Sequence, residues 1–333
     1  MIAACRKIHS KGDHQMSLRK SAYAAAAAGM ATAIMAASAA AASYPAKSVD
    51  MIVSFPAGGM TDTVSRVLAT EMSKSLGQPI VVVNRGGAGG TIGTASIARM
   101  APDGYTIGAI ADAALTTLPH LHKVPYTLNS FEYICRIYAV PVLMVVRPDS
   151  PFNSLADVVK YAKAHPGQLN FATVGPGTLP HLAALDFMKQ AHISMTHIPY
   201  KGEGQAVIDL LGKHVDVYFG TSAVAAAHHL KQLAVASASR LKEAPSTPTF
   251  TELGYKVTWS IMGGLIAPKG LDSKAQAVLG KACAAGVNSP HYLSTLKSLQ
   301  AAPAYLSGEQ FKKVMKEEYS KSHGLLKGVA PSR

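Results

Sequence analysis

Two short glycine-rich segments contain the residue types of this chain that are best suited to bind a charged group. The first spans residues 55–62 and the second spans residues 173–178, and each follows a β-type run and precedes a helical pattern. Glycine lets backbone N–H groups approach a ligand, and a helix N-terminus favours negative charge. The pair therefore predicts two strand-to-helix turns that grip one anion. For either turn alone, a tight structural connection is the alternative.

The predicted contacts in the first turn are Phe55, Ala57, Gly58, Gly59, Met60, Thr61 and Asp62. Those in the second turn are Thr173, Val174, Gly175, Pro176, Gly177 and Thr178. His181 follows in the next helix, where its ring can donate a hydrogen bond to a carboxylate or bond to a nearby loop instead.

Other motifs give no indication of a cofactor or a metal. The glycine cluster at 86–93 lacks the third glycine of a dinucleotide fingerprint, and no Lys-Ser/Thr pair follows it to make a P-loop. The histidine pairs 120/122 and 228/229 have no third ligand at a metal-site spacing, so we expect packed or solvated rings. There is no Gly-x-Ser-x-Gly, His-Glu-x-x-His or Cys-x-x-Cys sequence. We therefore predict a binding protein with no cofactor and no metal, rather than an enzyme.

Strand-like and helix-like runs alternate from residue 49 onward, which predicts an α/β fold with parallel sheets covered by helices. In the first series we expect strands at 51–55, 79–83 and 105–110 and helices at 61–76 and 92–100, with Thr61 or Asp62 capping the first helix. After a strand-rich stretch at 131–146, a second series follows the same plan. Its strands are predicted at 169–173, 195–199, 215–219 and 233–237, and its helices after a Ser154/Asp157 capping box, at 180–190 and at 204–211. A strand at 262–267 and C-terminal helices complete the chain.

The first 42 residues are built differently from the rest. Five Lys or Arg residues precede a mostly alanine run at about 23–42 that ends in small residues, which is typical of a secretory signal peptide. A membrane anchor is the alternative, since about 20 apolar residues can span a bilayer. The start codon, Met1 or Met16, and the cleavage position stay open.

Charge and cysteine content indicate which partners the protein can have and which state its cysteines can take. The whole chain of 333 residues has 32 basic and 19 acidic side chains. Residues 1–42 contain five of the basic and one of the acidic ones, which leaves 27 against 18 and a net charge of +9. Such a balance favours acidic small molecules, but the basic residues are scattered and aromatics are sparse, so nucleic acid is not predicted as a partner. Cys135 and Cys283 remain after the leader, either as buried thiols or as a disulfide.

A set of ordered motifs now gives a specific resemblance. They are Phe55-Pro56-x-Gly58-Gly59-x-x-Asp62, Gly87-Ala88-Gly89-Gly90-x-Ile92-Gly93, Pro102-Asp103-Gly104-Tyr105-Thr106, His197-x-Pro199-Tyr200-Lys201-Gly202 and Gly264-Leu265-x-Ala267-Pro268-x-Gly270. In these residues the chain, from Tyr44 to about 325, closely resembles the Bug-type, TctC-like substrate-binding proteins of tripartite tricarboxylate transporters.

The resemblance implies a type II periplasmic-binding-protein fold, with two α/β domains around a ligand cleft and two crossovers. Domain one is expected at 44–139 plus 262–333 and domain two at 140–261, after a signal peptide at 1–42. It also implies a periplasmic monomer that captures a small carboxylate, for a tripartite tricarboxylate permease or a sensor ectodomain.

The resemblance assigns roles to individual residues as well. It implies that the two turns, with His181, pinch a ligand carboxylate, and that Asp62 orders its loop rather than facing the anion. Loops at Asp112, at Tyr200 and Lys201, and at Thr221 are expected to line the rest of the cleft. Residues 202–205 lack a proline that is common in the family. The negative charge of Glu203 argues against a second negative charge on the ligand.

Two alternatives stay open on sequence grounds. An exported hydrolase or lyase on the same fold would use His181, Ser222 or Asp112 as its nucleophile or base. An adhesin or other surface-interaction protein would need an exposed apolar patch, which sequence does not reveal.

Overall fold

A computed structural model describes residues 44–326 of the chain, so the predicted leader at 1–42 lies outside the described residues. Two sheets organise this part. The larger sheet contains β1 (Val49–Val53), β2 (Ile80–Asn84), β3 (Thr106–Ala111), β4 (Phe131–Pro141), β10 (Ser260–Pro268) and β11 (Leu306–Ser307). The smaller sheet contains β5 (Leu143–Val146), β6 (Asn170–Thr173), β7 (Thr196–Pro199), β8 (Val217–Gly220) and β9 (Lys231–Val235). We call the parts of the chain built on these sheets the large lobe and the small lobe.

Helices connect and cover the strands. In the large lobe they are α1 (Met60–Leu76), α2 (Thr91–Ile97), α3 (Ala113–Thr116) and α4 (Leu118–Leu121), with single 3₁₀ turns at Ala88–Gly90 and Leu128–Ser130. In the small lobe they are α5 (Leu155–Ala164), α6 (Leu179–Ala191), α7 (Glu203–Leu211) and α8 (Ser222–Ala227). The C-terminal part returns to the large lobe with α9 (Ser273–Val287), α10 (Pro290–Ser298) and α11 (Gly308–Leu325). Within residues 44–326, no helix is both long enough and apolar enough to cross a bilayer.

Both sheets are mixed, so the prediction of parallel sheets is confirmed for only some of the strand pairs. The strand order is β11-β4-β10-β3-β1-β2 in the larger sheet and β7-β6-β8-β5-β9 in the smaller one. β1 pairs in parallel with β2 and β3, but β10 runs antiparallel to both β3 and β4. β5 is likewise antiparallel to its neighbours. Strand–helix alternation predicts parallel pairing only where one helix links neighbouring strands, and β10 reaches its place after the whole small lobe.

The chain passes between the lobes twice. β4 ends at Pro141 and β5 of the other sheet begins at Leu143, and later β9 ends before β10 re-enters the larger sheet at Ser260. Trp259 stands at the second passage. Its indole N–H donates to the Asp186 carboxylate on α6 at 3.0 Å, and its backbone N–H donates to Ala236. The indole is therefore tied to the small lobe, one residue before the strand that belongs to the large lobe.

Apolar spacing explains why α1 lies on the larger sheet. Val64, Leu68 and Met72 recur at helical spacing and are fully buried. α9 packs against the same helix so closely that a Cβ on Gly286 would lie 2.6 Å from Leu68 Cδ1. The predicted Ser154/Asp157 capping box is confirmed at the start of α5. α1, by contrast, begins at Met60 behind an extended Gly59, so neither Thr61 nor Asp62 is its N-cap. α3, α4 and α8 are too short for a periodic pattern and were not predicted.

A disulfide joins Cys135 on β4 to Cys283 on α9 across 148 residues of sequence. Both cysteines are completely buried. Of the two alternatives for these residues, the structure shows the disulfide. It fastens the C-terminal helices to the strand that leads into the small lobe.

We expect the disulfide to contribute substantially to stability, because it closes a long loop in the unfolded chain. Replacing both cysteines by alanine should lower the free energy of unfolding by about 4 kcal/mol. Urea unfolding of the oxidised protein and of the double variant measures this difference. Reduction of the wild-type disulfide should lower the free energy of unfolding by the same amount. A urea midpoint that does not change when reductant is added would contradict the prediction.

Candidate functional site

A narrow cavity of about 40 Å³ lies between the two lobes. Its walls on the large-lobe side are Phe55, Pro56, Gly59, Met60, Thr61, Ala111, Asp112, Ala113, Tyr138 and Ile261. Its walls on the small-lobe side are Val174, Thr178, Leu179, Pro180, Gly202, Glu203 and Thr221. Most of these residues follow the carboxyl ends of strands such as β1, β3 and β6, which is where open α/β sheets bind ligands. The volume suffices for a few water molecules or one small group. Hydrogen bonds from Met60 N–H to Glu203 and from Thr117 Oγ1 to the Gly177 carbonyl join the lobes.

The first glycine turn presents the N-terminus of α1 to this cavity. Gly59 has an extended backbone as N-cap, and no side chain caps the helix. The first N–H groups of a helix have no intrahelical acceptor. The N–H groups of Gly59 and Thr61 also have no acceptor outside the helix among residues 44–326. Thr61 Oγ1 is 2.7 Å from the buried Tyr138 hydroxyl, which fixes its side chain against β4.

Asp62 organises the loop beneath the cavity. Its carboxylate accepts hydrogen bonds from Gly58 N–H at 3.0 Å, from Asn84 at 2.7 Å and from Arg66 at 3.1 Å. Burial raises the pKa of Asp62, but these hydrogen bonds outweigh it and hold the pKa below its usual value. Both oxygens are thus engaged inside the large lobe, and Asp62 is not part of the cavity wall.

Close approach to Pro56 explains why residues 86 and 202 are glycines. A Cβ on Gly86 would lie 2.4 Å from Pro56 Cδ, and one on Gly202 of the small lobe would lie 2.9 Å from Pro56 Cγ. The Pro56 ring is therefore enclosed by two glycines, one from each lobe. The cluster at 86–93 serves packing, in agreement with its interpretation as a structural turn.

The second glycine turn uses most of its donors internally. Gly175 N–H donates to Thr173 Oγ1 at 3.2 Å, Gly177 N–H donates to His181 Nδ1 at 3.1 Å, and Thr178 Oγ1–H donates to the Gly175 carbonyl at 2.7 Å. The turn is therefore a rigid, self-satisfied loop rather than an open cradle. Val174, Thr178 and the first residues of α6 line the cavity on this side. Among those residues Leu179 has an N–H for which the described residues provide no acceptor.

His181 lies behind this turn, not in the cavity. Its ring stacks on His197 at a centroid distance of 4.2 Å, with Phe171 beyond. Burial lowers the pKa of His181 to about 4, so the ring is neutral at physiological pH. Because Nδ1 accepts from Gly177, the ring hydrogen is on Nε2. The structure thus gives His181 the loop-bonding role, and its ring is not part of the cavity wall.

Glu203 crosses the cleft from the small lobe. Its Oε1 accepts hydrogen bonds from the Tyr218 hydroxyl at 3.0 Å, from Thr221 N–H at 3.2 Å and from Thr221 Oγ1 at 2.8 Å. Its Oε2 accepts from Met60 N–H, on the other lobe, at 2.9 Å. Four donors and no acceptor describe an ionised carboxylate. A side chain of the protein therefore already holds one N–H of the α1 N-terminus.

Asp112 lies at the end of β3 and is 1% exposed. Its Oδ2 accepts from Met262 N–H at 3.1 Å, while Oδ1 has no partner in the described part of the chain. Burial, opposed by the Met262 hydrogen bond, raises the pKa of Asp112 to about 8. Burial also raises the pKa of Tyr138, to which the charges of Asp112 and Glu203 add. The two acids and the Tyr138 phenol thus line the same cavity, with Glu203 on the opposite lobe from the other two.

Eight of the predicted contacts line the cavity: Phe55, Gly59, Met60, Thr61, Asp112, Val174, Thr178 and Thr221. Ten do not: Ala57, Gly58, Asp62, Thr173, Gly175, Pro176, Gly177, His181, Tyr200 and Lys201. Lys201 is exposed to solvent, and the Tyr200 hydroxyl donates to Asp209, because both follow β7 at the edge of the small sheet. Ser222, a candidate nucleophile, is buried and is not part of the wall.

Sequence reasoning missed Tyr138, Ile261, Leu179 and Pro180 as wall residues. Tyr138 and Ile261 are inside strands, and no turn or motif marks them. The sequence predicted the charge of Glu203 near the cleft, but not its contact with Met60 at the start of α1. Residues 44–326 contain no group of three or more His, Cys, Asp or Glu side chains that could hold a metal ion.

Replacing Glu203 by glutamine should destabilise the closed cleft. The amide nitrogen cannot accept a hydrogen bond, so either Met60 N–H or the Thr221 donors lose their partner. We expect the free energy of unfolding to fall by about 2 kcal/mol, as measured by urea unfolding. Glu317→Gln, at an exposed position of α11, is the matched control and should change little. Equal stability of the two variants would contradict the role of Glu203 as an interlobe contact.

Asp112 should make stability depend on pH. Because its pKa is raised above that of the unfolded chain, its contribution is full below about pH 4 and is lost as the pH rises through about 8. The free energy of unfolding of the wild type, relative to Asp112→Asn, should therefore decline from pH 5 to pH 8. Urea unfolding at four pH values measures both proteins. A constant difference would show that Asp112 titrates normally.

Comparisons with known proteins agree with this architecture. A profile of the TctC family, described as the tripartite tricarboxylate transporter family receptor, matches residues 64–330. The chain is 34% identical to protein BugT of Bordetella pertussis over 306 residues, which are 90% of this chain and 94% of that protein.

Two solved structures are similar throughout. The periplasmic binding protein BugD superposes with a TM-score of 0.81 at 35% identity, covering 86% of this chain and 98% of that one. MatC from Rhodopseudomonas palustris, solved with bound malate, superposes with a TM-score of 0.79 at 27% identity, covering 85% and 100%. The two mixed sheets thus form the periplasmic-binding-protein fold, and these relatives are binding proteins rather than enzymes. The chain belongs to the TctC/Bug family of tripartite tricarboxylate transporter receptors.

Proposed function

We propose that this protein captures a small carboxylate between its lobes, with the carboxylate held at the N-termini of α1 and α6. The observation that carries the proposal is the position of the cavity. It lies where the first turns of both helices meet, and the N–H groups of Gly59, Thr61 and Leu179 have no acceptor there among the described residues. Helix N-termini favour anions through their N–H groups and their dipoles. The malate bound by the related MatC is of the same chemical class.

The two glycine turns then have different tasks. The first turn supplies donors, and Asp62 keeps it in shape from below. The second turn satisfies its own donors and supplies a rigid wall, together with the Leu179 N–H. This division refines the expectation that both turns grip the anion in the same way.

Entry of a ligand requires the lobes to separate, because the cavity is small and walled by both of them. The natural hinges are the two passages of the chain, near residues 140 and 261. On this proposal domain one comprises 44–139 plus 262–333 and domain two comprises 140–261. Opening would break the Glu203–Met60 hydrogen bond and the bond from Thr117 Oγ1 to the Gly177 carbonyl, which is 2.7 Å long. Both would re-form around the ligand, as in other hinge closures.

The leader at 1–42 would direct the protein to the periplasm as a monomer. There the closed, loaded form would dock on a tripartite tricarboxylate permease or on a sensor ectodomain. Both uptake and sensing are compatible with the proposal, because a permease and a sensor would each bind the closed form of the protein.

Thermal-shift screening of organic, aromatic and amino acids on the mature protein tests capture. With a dissociation constant on the order of micromolar, a ligand at a hundredfold excess over that constant stabilises by about 2.7 kcal/mol. That corresponds to a rise of several degrees in melting temperature. Absence of a shift with every acid would contradict the proposal.

Gly59→Trp tests the first turn. A Cβ at Gly59 would already lie 3.0 Å from Glu203 Oε2, so an indole would fill the cavity and abolish binding. Gly280→Trp is the matched control, since a Cβ there meets no atom within 4 Å and the site is remote from the cavity. Unchanged binding by Gly59→Trp would remove this turn from the site.

A further inference from the structure

Asp112 has an oxygen for which the protein supplies no partner. The side chain is part of the cavity wall and is 1% exposed, and Oδ1 has no donor among residues 44–326. Buried polar atoms in native proteins are almost always satisfied, so an exception inside a binding cavity marks a place for a ligand atom. A ligand in this cavity would therefore contact Asp112 Oδ1.

The charge of the cavity restricts what that ligand atom can be. Glu203 contributes a carboxylate, and the residues that form the walls include no Lys, Arg or His. The donors nearest to Glu203 are already bonded to it: the Tyr218 hydroxyl, the Thr221 hydroxyl and the N–H groups of Thr221 and Met60. No cation is thus present on these walls to neutralise a second ligand carboxylate.

Two arrangements would satisfy Asp112 Oδ1. A ligand N–H can donate to it, or a proton on Oδ1 can be donated to a ligand carboxylate. The second arrangement places a further negative group beside Glu203 in a cavity without a compensating cation. The first places a donor, neutral or positive, in the same cavity as the negative Glu203, and a positive donor beside Asp112 favours the ionised form of that carboxyl, which burial otherwise keeps protonated at neutral pH. Electrostatics therefore favours the N–H donor.

We propose that the ligand is a small acid whose far end carries an amino or carboxamide nitrogen, which donates to Asp112 Oδ1 while Glu203 excludes a second carboxylate. This inference rests on the proposed function, in which the near-end carboxylate lies at the N-termini of α1 and α6. It makes Asp112 and Glu203 the residues that determine specificity. Dicarboxylates of the same length are then poor ligands of this particular protein.

Isothermal titration of the mature protein with matched acids tests the inference. Straight-chain acids of three to six carbons are compared in three forms that differ only at the far end: carboxylate, ammonium and carboxamide. We expect the preferred length to bind at least tenfold more tightly in a nitrogen-bearing form than as the dicarboxylate. A dicarboxylate that binds as tightly as its nitrogen-bearing partners overturns the inference and leaves carboxylate capture intact. Failure of every acid to bind overturns both.

Two variants show whether the named residues are responsible. Asp112→Asn keeps the size of the side chain but presents an amide, so the preference for the ammonium form should fall at least tenfold. Glu203→Gln removes the negative charge but also weakens the interlobe contact, so the affinity for the dicarboxylate should rise relative to the affinity for the nitrogen-bearing acids. Circular dichroism confirms that each variant is folded before titration. A discrimination between the three forms that neither substitution changes would overturn the assignment to these residues.

Discussion

The N-terminus of α1 needs acceptors, and the architecture of this protein follows from where those acceptors come. A helix start has N–H groups without intrahelical partners, and here it faces a cleft rather than solvent. One of them, Met60 N–H, receives the Glu203 carboxylate from the other lobe at 2.9 Å. That contact ties the lobes together. It also decides how much of the helix end is left for a ligand and places a negative charge on the cavity wall.

The cavity therefore differs from a simple anion hole. An anion site built from two helix starts would be neutral or positive in its surroundings, whereas this one includes Glu203 and Asp112. Membership of a carboxylate-binding family fixes the fold and the place of the site, but not the balance of charge within it. That balance depends on single side chains such as Glu203, which we infer to select the ligand while the fold stays the same.

Local patterns in the sequence predicted the local features well. Strand–turn–helix alternation identified the strands and long helices within a few residues, the Ser154/Asp157 box marked a helix start, and the first turn led directly to the cavity. What could not be predicted depends on distant parts of the chain. The direction of β10, the approach of Glu203 to Met60, 143 residues apart, and the position of Tyr138 in the wall all arise from packing of segments that share no local signal. His181 shows the same limit, because its position in the sequence put it beside the turn, whereas its ring does not line the cavity.

Trp259 gives the protein an optical consequence of its architecture. It is the single tryptophan of the chain, and it stands at the second passage between the lobes with its indole bonded to Asp186. The residue after it begins the strand that belongs to the other lobe. Indole emission responds to the polarity and hydrogen bonding of its surroundings, so rotation at this passage changes the light that the protein emits. With the proposed hinge closure, Trp259 would therefore report lobe motion from a position outside the cavity.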